Sequence, residues 1–239
     1  MKQSDPNFDT SYAALKETAL FKGVPKEALQ TIISECDYKE WEKGESIDSD
    51  LLNRYLFIIL SGKVKITQID PQSGRSVALF LLQRGDIYDF LPLLDGKKHL
   101  SFPIPLESCS VLCTPLETAR QWLQNYPELN REMLPYLGEK IRQLESFSIS
   151  MVFHDTTTRL ANLILKHTQS YPHSKEDHYP VELINNLSHE SLAELIGSVR
   201  TVVSTQLRKL KEEGIVVSKR GKLAVKNLEK LLLHTNLYE

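Results

Sequence analysis

Between Leu20 and Leu116 the apolar residues fall in short runs separated by turn-forming residues. Tyr55 to Leu60 is an uninterrupted apolar run closed by Ser61 and Gly62, the pattern of a strand buried on both faces. Val64 to Ile69 alternates apolar and polar, as a half-exposed strand does. Asp70 to Gly74 reads as a turn, Val77 to Leu82 as a further strand, and Arg84-Gly85-Asp86 as another turn. Gly44, Gly62 and Gly85 recur at intervals suited to the corners of a rolled antiparallel sheet, where the backbone needs a positive φ that glycine adopts cheaply.

The periodicity changes after Glu117, and the chain to Phe153 reads as helical, with Pro127 able to open a long helix. Leu134, Leu137, Ile141, Leu144, Ser148 and Met151 alternate spacings of three and four, a heptad seam flanked by the polar residues Glu139, Lys140, Arg142 and Glu145. Such a stripe packs either on its own domain or on a second copy of the chain. Its place between two domains, with polar flanks on both sides, favours self-association. Pro135 is expected to move the helix start or to kink the helix, and Ser148 weakens the seam. Asp155 is a good N-cap for a following helix from Thr156 to about Thr168, which makes a compact hinge. Tyr171 to Pro180, rich in polar residues and proline, reads as a surface loop.

The most informative stretch runs from Leu187 to Gly214. Ser188 is an N-cap, and Leu192, Ala193 and Ile196 form the inner side of a short helix. Gly197 allows a tight turn, and a second helix begins near Ser198 or Val199 with Val203, Leu207 and Leu210 inward. Arg200, Thr201, Ser204, Thr205 and Arg208 lie on its opposite face. A helix that reads DNA needs this division. Its first residues must reach base edges, short hydroxyl side chains let it sit deep in the groove, and an arginine can bond two acceptors of one guanine. Ile215 to Val217 and Leu223 to Val225 then form a hairpin wing around the basic turn Lys219 to Lys222.

Composition adds little at first. The chain has 239 residues, is 41% hydrophobic and 25% charged, and carries a net charge of −2, an ordinary profile for a soluble protein of one or two domains. Charge distribution is more telling. From Ser188 to Lys226 eight basic residues stand against four acidic ones, a modest electrostatic footprint for nucleic acid. No apolar run is long enough to span a bilayer, and the first ten residues are too polar for a secretory signal, so the expected location is cytoplasmic with no membrane partner. Cys36, Cys109 and Cys113 sit in apolar surroundings without further ligands nearby, so buried reduced thiols are expected and no metal site.

These pieces resemble the CRP/FNR superfamily from about Leu20 to Val225. The matching parts are Lys43-Gly44-Glu45, Tyr55 to Val64, Arg84-Gly85-Asp86, the long helix, Phe153 to Asp155 with Arg159, and the helix-turn-helix, in the family's order. The resemblance implies an α+β fold: an N-terminal antiparallel β-roll for effector sensing (1–122), a dimerisation helix and hinge (123–154), and a C-terminal winged helix-turn-helix that binds DNA (155–239). It implies that Leu137, Ile141, Leu144, Ser148 and Met151 face the partner helix and that Asp155 caps the hinge. Arg200 matches the guanine-reading arginine, Ser188 and His189 match positions that contact the DNA backbone, and Lys219 falls in the wing. The loop from Thr168 to Val181, with His173, Lys175 and Asp177, corresponds to a surface that touches RNA polymerase in activators of the family.

Two departures matter. The glutamate that follows the guanine-reading arginine in cyclic-AMP-type members is Thr201 here, which cannot accept from a cytosine amino group as a carboxylate does, so a different half-site is expected. In the effector region, Tyr88 and Asp89 stand where a ribose-binding Gly-Glu pair is found, and His99 and Leu100 where the phosphate-binding Arg-Ser pair is found. Without that arginine a buried phosphate lacks its bidentate partner, which argues against cyclic AMP. The segment Met1 to Leu20 holds no cysteine, unlike the iron–sulfur members.

Tyr88, Phe90, Leu91, Leu93, Leu94, Phe102 and Ile104 make an apolar neighbourhood with Lys97, Lys98 and His99 at its edge, and Asp89 joins the candidate effector pocket. Three readings stay open: a small apolar or aromatic acid met by lysine or histidine, heme with His99 as a ligand, and no small molecule at all, these residues filling the roll's core and the dimer contact. The function expected is therefore a homodimeric, sequence-specific DNA-binding regulator of near-palindromic double-stranded sites. A ligand-binding module acting through a protein partner is the alternative. No nucleophile elbow, metal motif or phosphate loop points to an enzyme.

Overall fold

The computed structural model describes residues 1–2, 4–48, 50–169, 178–219 and 222–235, the side chain of Lys219 excepted. The chain divides into two compact units, one built from Met1–Gly74 and Leu79–Gln143, the other from Arg75–Ala78 and Leu144–Glu239. The fold is α+β, with antiparallel sheets and a long helix followed by a helix-turn-helix region.

The first part of the chain runs α1 (Pro6–Leu15), α2 (Lys26–Ser34), β1 (Asp37–Trp41), β2 (Tyr55–Ser61), β3 (Val64–Ile69), β4 (Ser76–Leu82), β5 (Ile87–Tyr88), α3 (Phe90–Asp95), β6 (Phe102–Pro105), β7 (Cys109–Pro115), α4 (Leu116–Asn125) and α5 (Pro127–Phe153). One sheet has the order β1-β7-β2-β5 and a second β4-β3-β6. Strand β2 pairs with β7 on one side and β5 on the other, with Phe57 opposite Cys113 and Tyr88, and Ile58 opposite Leu112 and Ile87. Both faces of β2 are covered, which is why its apolar run is unbroken. Leu56 and Ile58 join the cluster built by α1, α2, α4 and α5, where Leu15, Ile32, Trp122 and Met133 are buried. On the alternate face Phe57 meets Trp41 at 5.3 Å and Tyr88 at 6.1 Å between ring centroids.

Gly62 shows the corner requirement most clearly. Its φ is +84°, and an added Cβ would lie 2.7 Å from the carbonyl oxygen of Ser108, a backbone atom that cannot yield. The three cysteines are free and buried, and burial pushes each thiol above its ordinary range.

Helix α5 corrects two expectations. It starts at Pro127 and its span runs past Pro135, so the proline does not move the helix start. Proline there leaves the carbonyl of Arg131 without its helical donor, but both residues are exposed and water can serve it. Lys140, expected as a solvated flank of the seam, is instead buried in line with Leu129, Met133 and Tyr136. Its partner is Asp86, far away in sequence, so no local pattern announces the burial.

The remaining elements are α6 (Thr156–Lys166), β8 (Tyr179–Pro180), α7 (His189–Leu195), α8 (Arg200–Glu212), β9 (Val216–Lys219), β10 (Lys222–Val225) and α9 (Leu228–Leu233). Leu160, Ala161 and Ile164 of α6, Leu192 and Ala193 of α7, and Val203, Leu207 and Leu210 of α8 are buried. The wing is a three-stranded antiparallel sheet of order β8-β10-β9, with Leu223 opposite Ser218. Among the described residues no helix is long and apolar enough to cross a membrane.

Candidate nucleic-acid interface and effector region

The helix-turn-helix is fixed by local chemistry. The hydroxyl of Ser188 accepts from the backbone N–H of Ser191 at 3.0 Å and caps α7. Gly197 makes the turn at φ +60°, and a Cβ there would fall 2.6 Å from Sδ and Cε of Met151. Helix α8 starts at Arg200, slightly later than its sequence pattern predicts, with Val199 as an N-cap that offers no side-chain acceptor. Val202 and Val203 N–H already bond Val199 O, so among the described residues the N–H groups of Arg200 and Thr201 are left for an outside acceptor, and the helix dipole favours an anion there.

Val203, Leu207 and Leu210 hold α8 down, while Arg200, Thr201, Thr205 and Arg208 are exposed. Arg208 pairs with Glu212 one turn on, at 3.8 Å. Ser204 and Thr205 each donate to a carbonyl one turn back, Arg200 O at 2.8 Å and Thr201 O at 3.0 Å. Their oxygens are therefore left as acceptors. His189, at the start of α7, touches Ser204 through Nδ1 at 2.7 Å. Thus Ser188, His189, Arg200, Thr201, Ser204 and Thr205 share one region. Lys219 ends β9 but its side chain lies outside the described residues, as do His173, Lys175 and Asp177.

The start of α6 follows its sequence signal. Asp155 accepts from the backbone N–H of Thr158 at 2.8 Å, and that bond holds its carboxyl below the ordinary carboxylate range. Arg159 Nη1 reaches Sδ of Met151 at 2.5 Å, so this last seam residue contacts the helix-turn-helix of its own chain. Leu134 and Ile141 of the seam are exposed, Ser148 is exposed, and Leu137 and Leu144 are half-buried. Val152 and Phe153, which the heptad omits, are 74% and 76% exposed.

The effector segment is more polar inside than its sequence indicates. Tyr88 is buried and donates from its hydroxyl to Ser101 O at 2.8 Å, and burial pushes the phenol above its ordinary range. Asp89 is buried at φ +68°, a left-handed position that glycine would occupy with less strain. Its Oδ2 accepts from the backbone N–H of Asn53 at 2.8 Å, whereas Oδ1 has no hydrogen-bond donor among the described residues. Nδ1 of His99 lies 3.9 Å from that Oδ1 and 3.2 Å from the hydroxyl of Ser101. Phe90 is half-buried, edge-on to Phe80 at 6.1 Å. Leu91 and Phe102, together with Leu94 and Leu100, are exposed rather than filling a core, and Lys97 and Lys98 are exposed as well. Apolar sequence alone could not distinguish a core from a rim here.

A connection invisible to sequence reasoning runs from this segment to α5. Asp86 accepts from Lys140 Nζ at 2.6 Å and from the Tyr136 hydroxyl at 3.1 Å, while that hydroxyl accepts from the backbone N–H of Ile87 at 3.1 Å. The ammonium also lies 5.0 Å from the Tyr136 ring centroid. Burial and the Asp86 carboxylate push the Tyr136 phenol up.

Comparison with known proteins matches two families to this chain: "Cyclic nucleotide-binding domain" over residues 39–126 and "Crp-like helix-turn-helix domain" over residues 158–233. The chain is similar to the global nitrogen regulator of Nostoc sp., 28% identical over 172 residues that cover 71% of this chain and 76% of the relative. It is similar to the CRP-like cAMP-activated global transcriptional regulator of Mycobacterium tuberculosis, 22% identical over 91% of this chain and 96% of the relative. Among solved structures a mutant of CooA from Carboxydothermus hydrogenoformans superposes with a TM-score of 0.69 at 22% identity, covering 85% of this chain and 89% of the other. That likeness is one of fold.

Proposed function

We propose, for a chain that belongs to the CRP/FNR superfamily of transcription regulators, that it reads a near-palindromic DNA site as a homodimer under the control of its N-terminal unit. The observation that carries the reading is the exposed face of α8. Arg200, Thr201 and Thr205 stand together at its start, behind an N-terminus with no side-chain cap, and the capped start of α7 is joined to it through His189 and Ser204. Arg200 supplies a bidentate donor for guanine, and Thr201 and Thr205 bring a methyl group and an acceptor oxygen to base edges. The Leu134, Leu137, Ile141, Leu144 and Ser148 stripe meets its counterpart on a second copy, setting two α8 helices about one turn of DNA apart. RNA polymerase is the further partner of the DNA-bound dimer, with the segment 168–181 as the contact.

Control enters through the segment Tyr88 to Phe102. The buried Asp89 side chain, faced by His99 Nδ1 at 3.9 Å, offers the phosphate of a cyclic nucleotide no bidentate donor, and Lys97 and Lys98 are exposed. This favours an effector other than cyclic AMP, one that rests its apolar part on Leu91, Leu94 and Phe102. A titration of labelled duplexes tests the function. The wild type binds a selected site at least a thousandfold more tightly than scrambled DNA, on the order expected for specific regulators, and Arg200→Ala loses about 1–3 kcal/mol at a guanine position. Equal affinity for both duplexes would overturn the reading.

A further inference from the structure

The contacts of Ser204 fix the protonation of a neighbouring imidazole. Ser204 Oγ lies 2.8 Å from the carbonyl oxygen of Arg200 and 2.7 Å from Nδ1 of His189. A serine hydroxyl has one proton to give, and a carbonyl has none. Both contacts are hydrogen bonds only if the hydroxyl donates to Arg200 O and the imidazole donates to the hydroxyl. Nδ1 therefore carries the hydrogen in the neutral ring, and Nε2 is the bare nitrogen, directed away from Ser204. Adding a proton at Nε2 leaves the Ser204 bond intact, so the helix-turn-helix accommodates the charged ring without rearrangement.

His189 is half-exposed at the first position of α7, beside the exposed Ser188. Glu190 is its neighbour on α7, and Arg200 and Arg208 stand one turn to either side of Ser204 on α8, the helix packed against it. Among the described residues His189 forms no ion pair with a carboxylate. Histidine is the side chain whose charge ordinarily changes between about pH 5 and 8.

We infer that His189 is a proton-controlled phosphate contact, with Ser204 as its positioning residue. Neutral, the ring turns a lone pair toward the DNA backbone; protonated, it turns a charge-assisted N–H donor to a phosphate oxygen. DNA affinity then rises with acidity, through the reading face itself and independently of any effector. The inference rests on the DNA reading proposed above and names a control of that same surface.

Two measurements test it. The first is affinity for a duplex recovered by in-vitro selection, measured across a series of KCl concentrations at pH 8 and pH 5.5. In the wild type the plot of log affinity against log salt steepens at the lower pH by about 0.9 per bound subunit, the increment of one added phosphate contact. His189→Gln, whose amide can still donate to Ser204, binds with the same slope at both pH values. A slope that ignores pH in the wild type, or that shifts equally in His189→Gln, overturns the inference. The second is nitrogen NMR of the DNA-free protein, which reads the neutral ring directly. The Nδ1–H tautomer is expected, and the Nε2–H tautomer would overturn the inference even if no DNA bound. Absence of binding at either pH would instead overturn the DNA reading, so the two failures are distinct.

Discussion

Lys140 Nζ lies 2.6 Å from Oδ1 of Asp86, with the lysine side chain 7% and the aspartate side chain 13% exposed. Asp86 belongs to the Gly85-Asp86 turn immediately before the effector segment, and Lys140 lies on α5 beside Leu137 and Ile141 of the seam. The pair ties the candidate effector segment and α5 together inside one compact unit.

Breaking this pair on one side leaves a buried charge. Lys140→Met should destabilise the N-terminal unit by about 3–5 kcal/mol, measured by urea unfolding followed through tryptophan fluorescence. Asp86→Asn combined with Lys140→Met removes both charges and should recover most of that loss. A double variant as unstable as the single one would show that the ion pair is not the source.

Gly197 joins the two helices of the DNA-reading motif in a left-handed conformation. Gly197→Ala should cost about 1–2 kcal/mol of C-terminal stability, the penalty for an L-residue in that region. Met151 is flexible at its far end and can move from the new Cβ, so adding Met151→Ala should recover only a minor share. Full recovery by the double variant would assign the cost to crowding rather than to the backbone.

Asp155 makes the cap of α6 dependent on pH. Its folded-state carboxyl is held below the ordinary range, so its contribution is present at neutral pH and is lost as pH falls through the folded value, in the acid range below about 4. Asp155→Asn keeps an acceptor for Thr158 and should remove this acid-range dependence. Asp155→Ala removes the cap and should cost about 1 kcal/mol at pH 7. Thermal melts at pH 7 and pH 3 separate the two, and identical pH profiles for wild type and Asp155→Asn would contradict the assignment.

Much of this was legible in the sequence because the deciding interactions are local. Ser188 and Asp155 cap helices by bonding backbone N–H groups three residues on, Gly62 and Gly85 take positive φ at strand ends, and Val203, Leu207 and Leu210 follow helical spacing. What escaped depends on distant partners. Lys140 is buried because Asp86 lies across the fold, and the Ser204 hydroxyl meets His189 only after the helix-turn-helix closes. The exposure of Leu91, Leu94, Leu100 and Phe102 escaped for another reason: a short apolar run carries no period that tells a core from a rim.

The most direct test of the central claim is selection of bound duplexes from a random pool by the purified full-length protein, followed by footprinting on the enriched site. The account predicts a near-palindrome with a guanine in each half-site, half-sites about one helical turn apart, and loss of preference at that guanine in Arg200→Ala. Recovery of no common sequence, or of a site that Arg200→Ala reads as well as the wild type, would contradict it.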